Sequence, residues 1–241
     1  MGQWYVNLKG APSSQKDLEA LFSLGDVRVR KEGEGWILTW EHLDSISEFN
    51  EVVDEAKHVI SIMNGAAKLH YGDFSPVEFA GVIRIDDDGK RTHMIEPLVC
   101  SVRVSTRIVG MRVIRADGTE SPARPSNAVG WIQLGLKDRS VADALRFFAS
   151  PTWFNLYKVF EVVRDDIGGD EALKNKGWAA KSQISAFHRT ANSRQALGDE
   201  ARHATAKNPP PAKPMRLRDA RELWDRILRK WIEEKRAKLQ T

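Results

Sequence analysis

The spacing of hydrophobic residues changes from strand-like to helical near the middle of the chain. In the first half, residues 3–8, 27–30 and 36–40 are short, largely apolar stretches that are typical of strands. Residues 32–35 join the second and third stretches and contain Gly33 and Gly35, which predicts a β-hairpin. The first half is therefore predicted to be rich in strands.

Helices are also predicted in the first half. Ser45 and Glu48 form a capping-box pair, and the apolar residues that follow recur at helical spacing, so a long helix is predicted to begin here. Asn64 and Gly65 predict its end, because asparagine and glycine favour the backbone conformation that terminates helices. A shorter helix is predicted over residues 15–24.

Strands return over residues 76–114. The acidic run at residues 86–89 separates two of them and is interpreted as a turn, because its acids lack the alternating spacing of a calcium loop. Residues 98–102 are apolar and contain the single cysteine, Cys100, which is interpreted as a buried structural thiol. Residues 120–127 then carry two prolines without apolar periodicity, so we predict a domain boundary there.

The second half shows helical spacing. Ser150 and Pro151 predict a helix start, because serine caps helices and proline fits the first helical position. Gly168 and Gly169 predict the end of that helix. Residues 208–214 form a proline-rich connector before a last helix. The apolar face of the last helix is predicted to hold Leu217, Ala220, Leu223, Trp224, Ile227, Leu228, Trp231 and Ile232.

These patterns predict an α+β protein of two domains. Residues 1–122 form a strand-rich mixed domain with one long helix, and residues 127–241 form an all-α helical bundle. The opening residues lack the pattern of a signal peptide. No uninterrupted apolar run approaches the roughly 20 residues of a membrane helix. We therefore expect a cytoplasmic protein without a membrane partner.

Charge and motifs narrow the function classes only in part. The net charge of +4 permits an anionic partner without requiring one. The chain lacks a P-loop, a dinucleotide-binding fingerprint and a Gly-x-Ser-x-Gly elbow, which disfavours the common small-molecule enzymes. The histidines and acids between residues 188 and 203 match no zinc-ligand spacing. We therefore expect no metal and no cofactor.

Residues 187–204 carry most of the candidate chemistry. Gly198 and Asp199 are turn and cap signals, so a short helical turn is predicted to begin at Glu200, with Arg202 and His203 near its start. Backbone amides at a helix start attract phosphate, arginine clamps phosphate oxygens, and histidine transfers protons near neutral pH. A metal-free ribonuclease needs these groups. The alternative interpretation is a surface loop whose arginines pair with nearby acids.

Two other features also have competing interpretations. His188 lies on the apolar stripe of a predicted helix, which favours a core histidine over a ligand. The last helix is rich in arginine, which would suit a nucleic-acid surface. Its acids, however, are interleaved with the arginines at i,i+3 and i,i+4 spacing, which favours a solvated face laced with ion pairs.

The second half resembles a HEPN-type helical domain. The resemblance rests on NLYKVFE at residues 155–161, GWAAKS at residues 177–182, the turn ending in EARH at residues 200–203, and the final amphipathic helix. It covers roughly residues 127–241, whereas the first half resembles no family.

The resemblance implies a fold, an activity and a set of site residues. HEPN domains are helical bundles that commonly pair. Many are metal-independent ribonucleases in bacterial immunity and toxin systems, and others are inactive binding modules. Their signature is an arginine followed a few residues later by a histidine; here Arg202 stands directly before His203. The resemblance implies His203 as a catalytic residue with Arg202 or Arg194 as its phosphate partner, and Glu161 matches a polar residue on an early helix. The candidate site therefore comprises His203, Arg202 and Arg194 as catalytic residues. Its phosphate-binding or supporting residues are Arg189, His188 and Glu161.

Three function hypotheses follow. The first is an RNA-directed HEPN-like module, acting as a homodimer and as a candidate ribonuclease in prokaryotic antiviral defence or stress response. The second is a non-catalytic interaction or dimerisation module, with Trp224 and Trp231 on the face that would associate. The third is a small-ligand sensor that uses the N-terminal domain. They require, respectively, an exposed Arg/His cluster, an exposed apolar patch and a pocket in the first half.

Overall fold

The protein is an α+β protein, as predicted, with a sheet in its N-terminal region and helices in its C-terminal half. The structure is a computed structural model that describes residues 2–94, 127–202 and 209–239. The chain divides into two compact units, Met1–Gly130 and Trp131–Thr241.

The first unit combines a sheet with three helices among its described residues up to 94. Its elements are β1 (Gln3–Lys9), α1 (Pro12–Leu21), β2 (Val27–Glu32), β3 (Gly35–Trp40), α2 (Glu41–Asp44), α3 (Phe49–Tyr71), β4 (Glu78–Ile85) and β5 (Arg91–Met94).

From residue 127 onward the described residues form helices and short connections. The helices are α4 (Ala128–Gly135), α5 (Arg139–Phe148), α6 (Trp153–Asp166), α7 (Asp170–Asn175), α8 (Lys181–Ala191), α9 (Arg194–Leu197), a 3-10 turn (Gly198–Glu200) and α10 (Leu217–Lys238).

The five strands form one antiparallel sheet in the order β2-β3-β1-β4-β5. Because α1 follows β1 and α3 precedes β4, the connectivity is the β-α-β-β-α-β order of split βαβ folds, with β5 added at one edge. The predicted hairpin is confirmed, since β2 pairs with β3 across the turn at Gly33 and Glu34. Gly33 has a φ of +59°, the left-handed conformation that such tight turns favour in glycine.

One face of this sheet forms the core of the first unit. Val6 of β1 pairs with Leu38 of β3 and Val82 of β4, and all three are fully buried. The helices α3 and α1 pack against β4 and β2, which accounts for this burial. Because side chains alternate across a strand, the residues flanking these positions lie on the opposite face.

The opposite face of the sheet is concave. Arg91 Nη2 on β5 lies 4.0 Å from Glu32 Oε1 on β2, although these strands are the two outer ones. Neighbouring strands are about 4.8 Å apart, so a flat sheet would hold β2 and β5 about 19 Å apart. The long arginine and glutamate side chains span part of this distance, and curvature of the sheet brings the two strands closer than a flat sheet would.

Both predicted ends of helix α3 are wrong. Ser45 is not its cap: the Ser45 hydroxyl donates to His42 O (2.7 Å) at the end of α2, and α3 begins four residues later without a side-chain cap. Asn64 does not end the helix either. Its amide pairs with the backbone of Val77, with Nδ2 donating to Val77 O (2.8 Å) and Oδ1 accepting from Val77 N (2.9 Å). The helix runs on to Gly72, whose φ is +71°.

Helix α6 begins two residues later than predicted. Its cap is Thr152, whose Oγ1 accepts from the Asn155 amide (3.2 Å), whereas Ser150 contributes only its carbonyl, which accepts from Asn155 Nδ2 (2.7 Å). The predicted helix start at Ser150 is therefore wrong. The end at Gly168 and Gly169 is confirmed, with φ values of +94° and +107°.

An aromatic cluster fills the core of the second unit. Phe187 of α8 lies 5.3 Å from Trp224 of α10 and 6.1 Å from Phe160 of α6, measured between ring centroids. The predicted apolar face of the last helix is confirmed except at its first position, Leu217, which is only half-buried. Trp224 and Trp231, which the dimer hypothesis used, are at most 1% exposed within the unit.

A partly buried lysine joins three helical segments at the end of α6. Lys235 Nζ of α10 lies 2.8 Å from Asp138 Oδ2 and also binds Asp166 Oδ1. Trp231 Nε1 donates to the other oxygen of Asp166 (2.8 Å). Burial lowers the pKa of Lys235, but the hydrogen bonds to the two carboxylates outweigh it and raise that pKa overall.

Several predicted features lie outside the described residues. These are the strands between residues 95 and 114 with Cys100, residues 120–126 of the predicted domain boundary, His203 and Asn208. Their assignments stay predictions. Among the residues that the structure describes, no helix has both the length and the apolar character that crossing a bilayer requires.

Candidate functional site

Three of the residues singled out from the sequence meet around one tyrosine. Glu161 is on α6, His188 is on α8, and Arg202 follows the 3-10 turn, yet all three contact or approach Tyr157 or its neighbours on α6. Residues that are up to 45 positions apart in sequence thus form one cluster. We call Tyr157, Glu161, His188 and Arg202 the α6 cluster.

Arg202 is held by contacts on three sides. Its Nη2 lies 2.8 Å from Glu161 Oε1, and its Nη1 donates to Tyr157 Oη at 3.3 Å. The guanidinium carbon also lies 4.4 Å from the centre of the Tyr157 ring, within cation–π range. Its backbone amide donates to Ala191 O at 2.9 Å, which ties the segment to the end of α8.

His188 lies against the aromatic part of the cluster. Its ring centroid is 5.9 Å from that of Tyr157 and 5.5 Å from that of Phe160. Partial burial is the main cause that holds the pKa of His188 below its ordinary value, and the positive charges of Arg164 and Arg202 act in the same direction. The imidazole is therefore neutral at pH 7. Its position on the apolar stripe agrees with the core interpretation.

A side chain at the end of α8 forms a hydrogen bond to the α6 cluster. Asn192 Nδ2 donates to Tyr157 Oη (3.4 Å) and to His188 O (2.8 Å), so one side chain fixes both the tyrosine and the helix end. Ser193 is fully buried, and among the described residues its hydroxyl has no hydrogen-bond partner. The hydroxyl of Tyr157 is thus held between Asn192 and Arg202.

The other two predicted arginines make different contacts. Arg194 Nη2 on α9 lies 3.2 Å from Asp199 Oδ1 in the 3-10 turn, and this exposed ion pair agrees with the surface interpretation. Arg189 Nη2 donates to Pro210 O (3.2 Å), where it helps to hold the proline-rich segment against α8.

The helical turn predicted to begin at Glu200 is wrong for the described residues. The 3-10 turn ends there, and Ala201 is extended, with φ −68° and ψ 146°. No α-helical start is present at residues 200–202 to supply a row of free amides to an anion. Any anion binding in this part of the structure therefore depends on side chains, chiefly on the Arg202 guanidinium.

The cluster can present a positively charged group to solvent in a fixed orientation. The Arg202 side chain is 37% exposed, and Glu161 and Tyr157 hold its position. Guanidinium groups bind phosphate oxygens through parallel hydrogen bonds, and prior positioning reduces the entropic cost of that contact. His203 follows directly in the chain. Its position, and hence its distance to Arg202, lies outside the described residues.

Sequence reasoning missed Tyr157 and Asn192. Tyr157 falls on the apolar stripe of α6 and is 3% exposed, so its spacing predicts a core residue. Only its hydroxyl group distinguishes it from the phenylalanines around it, because a buried tyrosine hydroxyl usually has a polar partner. That requirement could have suggested a polar cluster at this point of the helix, but not its members.

The arginines of α10 support the solvated-face interpretation. Arg218 Nε lies 3.0 Å from Glu222 Oε1, and Arg229 Nε lies 2.8 Å from Asp225 Oδ2, both at i,i+4 spacing. Arg221 donates to the carbonyl of Pro151 (2.9 Å). Arg216, Arg218 and Arg229 are thus paired with carboxylates of the same helix, so this face offers less to a nucleic acid than its arginine content indicates.

The first unit contains a cavity of about 400 Å³. It opens where β1 and β3 separate, since these strands pair only from Val6 and Leu38 onward. Beyond that point the Trp4 amide donates to Asp44 Oδ1 (2.7 Å) rather than to β3. The charged residues that line the cavity are Asp26, Arg28, Arg30, Glu41 and Asp44.

Two further observations bear on the remaining hypotheses. Among the described residues, three large apolar side chains are strongly exposed: Leu24, Phe154 and Leu239. Within the same residues, no three His, Cys, Asp or Glu side chains are grouped as a metal site would need.

Comparison of the chain with protein-family models, with curated proteins and with solved structures finds no match. The HEPN-like resemblance therefore rests on the sequence patterns alone and stays a prediction.

Proposed function

We propose that the helical unit is an RNA-directed HEPN-like module in which Arg202 contacts an RNA phosphate. The single observation that carries the proposal is the convergence of Arg202, Glu161 and Tyr157 from distant parts of the chain, with the guanidinium still facing solvent. The module acts in the cytoplasm, in antiviral defence or stress response.

In this proposal the chemistry is divided between neighbouring residues. Arg202 binds the phosphate and stabilises the negative charge that builds on it during cleavage. Glu161 and Tyr157 hold the guanidinium in place. His203 removes the proton from the ribose 2′-hydroxyl as general base, and the 2′-oxygen attacks the phosphorus. The bond between phosphorus and the 5′-oxygen breaks, the 5′-oxygen takes a proton, a 2′,3′-cyclic phosphate is left, and no metal takes part. Arg194 is a second phosphate contact from the loop, for which it must exchange Asp199 for RNA.

Incubation of the protein with mixed RNA in excess chelator tests the proposal. If His203 is a general base, His203→Ala should reduce cleavage about 10²- to 10⁴-fold without loss of the fold. Arg202→Ala should reduce both cleavage and RNA affinity. Arg218→Ala is the matched control, because it removes an exposed arginine that pairs with a carboxylate elsewhere in the unit.

The outcomes separate the hypotheses. Cleavage that disappears in chelator would contradict the metal-independent mechanism. Binding without cleavage would identify a non-catalytic RNA-binding module. If the wild type neither binds nor cleaves RNA, the RNA proposal is wrong and the interaction-module hypothesis takes its place.

A homodimer remains part of the proposal, but its motivation is weaker than the sequence indicated. Trp224 and Trp231 are buried within the unit and are not available to a second copy. Light scattering at micromolar concentration should report twice the 27.2 kDa of the chain. A mass of one chain would exclude a site shared between two subunits.

Small-ligand binding by the first unit is a second candidate function, favoured by the cavity between β1 and β3. Its volume lies within the usual range for ligand pockets, about 300–1,000 Å³. The lining combines two guanidinium groups with three carboxylates, which suits a ligand with both charges. Titration with free amino acids as zwitterionic probes, by calorimetry on wild type and Arg30→Ala, tests it. Heat of binding that is equal in both proteins, or absent in the wild type, would reject it.

A further inference from the structure

One face of α6 leads from an exposed aromatic side chain to the α6 cluster. Phe154, Lys158 and Glu161 are spaced i, i+4 and i+7, and side chains at this spacing share a helix face. With a rise of about 1.5 Å per residue, Phe154 lies roughly 10 Å along the helix axis from Glu161.

Phe154 is an unusual side chain for this position. It is 55% exposed, whereas its helix neighbours Trp153 and Leu156 are buried. Lys158 Nζ lies 4.5 Å from the centre of the Phe154 ring and 4.8 Å from that of Phe147, a half-buried residue of α5. Two aromatic rings and a cation are therefore assembled at the surface, and the solvent-facing side of Phe154 is uncovered by the described residues.

The charge around these rings is positive. Arg146 lies with its guanidinium carbon 4.6 Å from the centre of the Phe147 ring. Asp143 is the opposing acid on α5 and pairs with Arg146 at 2.8 Å. Among the described residues, no carboxylate lies within 4.0 Å of Lys158 Nζ. The surface thus combines aromatic rings with an excess of cations.

We infer that Phe154, Phe147 and Lys158 form a stacking subsite for an unpaired RNA base next to the α6 cluster. Single-stranded nucleic acids are held where aromatic side chains stack on bases and basic groups contact the backbone. The base lies on Phe154, Lys158 contacts its phosphate, and the strand continues towards Arg202. This inference rests on the proposed function and extends it to single-stranded RNA as the substrate class.

Binding of a short, unstructured, fluorescently labelled RNA tests the subsite. Phe154→Ala should weaken binding about 5- to 150-fold, and Phe154→Trp should restore it, because each stacked base contributes about 1–3 kcal/mol. Lys158→Ala should reduce the salt dependence of binding by about 0.7 in logarithmic slope. Leu239→Ala is the matched control, since it removes another exposed apolar side chain (68% exposed), which lies at the end of α10 instead of on α6.

An abasic strand of the same length separates stacking from charge. It keeps the phosphates but lacks the bases, so it should bind wild type and Phe154→Ala equally. A common thermal midpoint for wild type and Phe154→Ala establishes that both are folded. If Phe154→Ala binds the normal strand as tightly as the wild type while Arg202→Ala binds it weakly, the subsite is wrong and the proposed function stands.

Two other outcomes would overturn the subsite. A wild type that binds no RNA overturns the subsite and the proposed function together. If Phe154→Ala keeps full RNA affinity but converts a dimer into a monomer in sedimentation velocity, this face is a protein interface and the inference is overturned.

Discussion

Helix α6 binds two basic side chains from later in the chain, and their surroundings differ. Near the middle of the helix Glu161 holds Arg202, and at its end Asp166 holds Lys235. The Lys235 side chain is 15% exposed and lies between two carboxylates. The Arg202 side chain is 37% exposed and has Glu161 and a tyrosine as contacts.

The difference in exposure and in contacts distinguishes a structural cation, Lys235, from a candidate RNA-binding cation, Arg202. Lys235 is enclosed by Asp138, Asp166 and the neighbouring Trp231, and its charge is more than balanced by the two carboxylates. It can join helical segments but cannot meet RNA. Arg202 is oriented by its neighbours and still reaches solvent. Sequence charge patterns contain no signal that distinguishes the two.

Removal of Lys235 should have the largest effect on stability. Lys235→Ala leaves two partly buried carboxylates without their common cation, so the free energy of unfolding should fall by about 2–3 kcal/mol. Urea denaturation followed by circular dichroism measures it. Lys238→Ala removes an exposed lysine that pairs with Glu234 one turn earlier in α10, and should change stability by less than about 1 kcal/mol. Equal losses in both variants would contradict the structural role of Lys235.

Loss of the Tyr157 hydroxyl should have a smaller effect. Tyr157→Phe keeps the ring beneath Arg202 but removes the hydrogen bonds from Asn192 and Arg202. The free energy of unfolding should fall by about 0.5–1.5 kcal/mol, and RNA affinity should fall with it, because Arg202 loses one of the contacts that orient it. Tyr157→Phe and wild type are compared in the same urea series. An unchanged RNA affinity would separate the tyrosine from the site.

Neutralisation of Glu161 should cost less than about 1 kcal/mol, as expected for a partly exposed ion pair. Its effect on function is more informative. Glu161→Gln removes a negative charge beside the RNA, so binding should become slightly tighter, while cleavage should fall because Arg202 is less well oriented. Parallel binding and cleavage assays measure both. Unchanged cleavage would contradict the proposal that Glu161 orients Arg202.

The smallest expected effect is a pH dependence from His188. Because its pKa is lower in the folded protein than the ordinary value near 6.5, the unfolded chain binds its proton first as the pH falls. The stability contribution is therefore complete above about pH 6.5 and is lost as the pH drops towards the folded-state pKa. His188→Gln should flatten the stability profile in that window. Denaturation midpoints between neutral and mildly acidic pH measure it, and an unchanged slope in the variant would reject the assignment.

The sequence predicted elements better than it predicted their ends. Alternation and helical spacing identified the sheet and the main helices, because burial of one face imposes those periods. The end of α3 was missed because Asn64 binds Val77, a residue that only the tertiary fold brings near. Similarly, Ser45 ends α2 instead of capping α3. In both cases a polar side chain had a local and a tertiary option, and the tertiary environment decided.

The candidate site was predicted only in part for the same reason. The sequence selected Arg202, Glu161 and His188, and the structure brings these three together. It could not select Tyr157, whose spacing is that of a core residue, or exclude Arg194, whose pairing with Asp199 depends on the loop conformation. The sequence shows which charged residues are present, but the packing of the helices determines which of them pair.

The most direct test of the central claim compares the RNA affinity of wild type, Arg202→Ala and Lys235→Ala across a salt series, at a temperature where all three are folded. The account predicts about tenfold weaker binding and a shallower salt dependence for Arg202→Ala, and wild-type behaviour for Lys235→Ala. Equal affinity of Arg202→Ala and wild type at every salt concentration would contradict it.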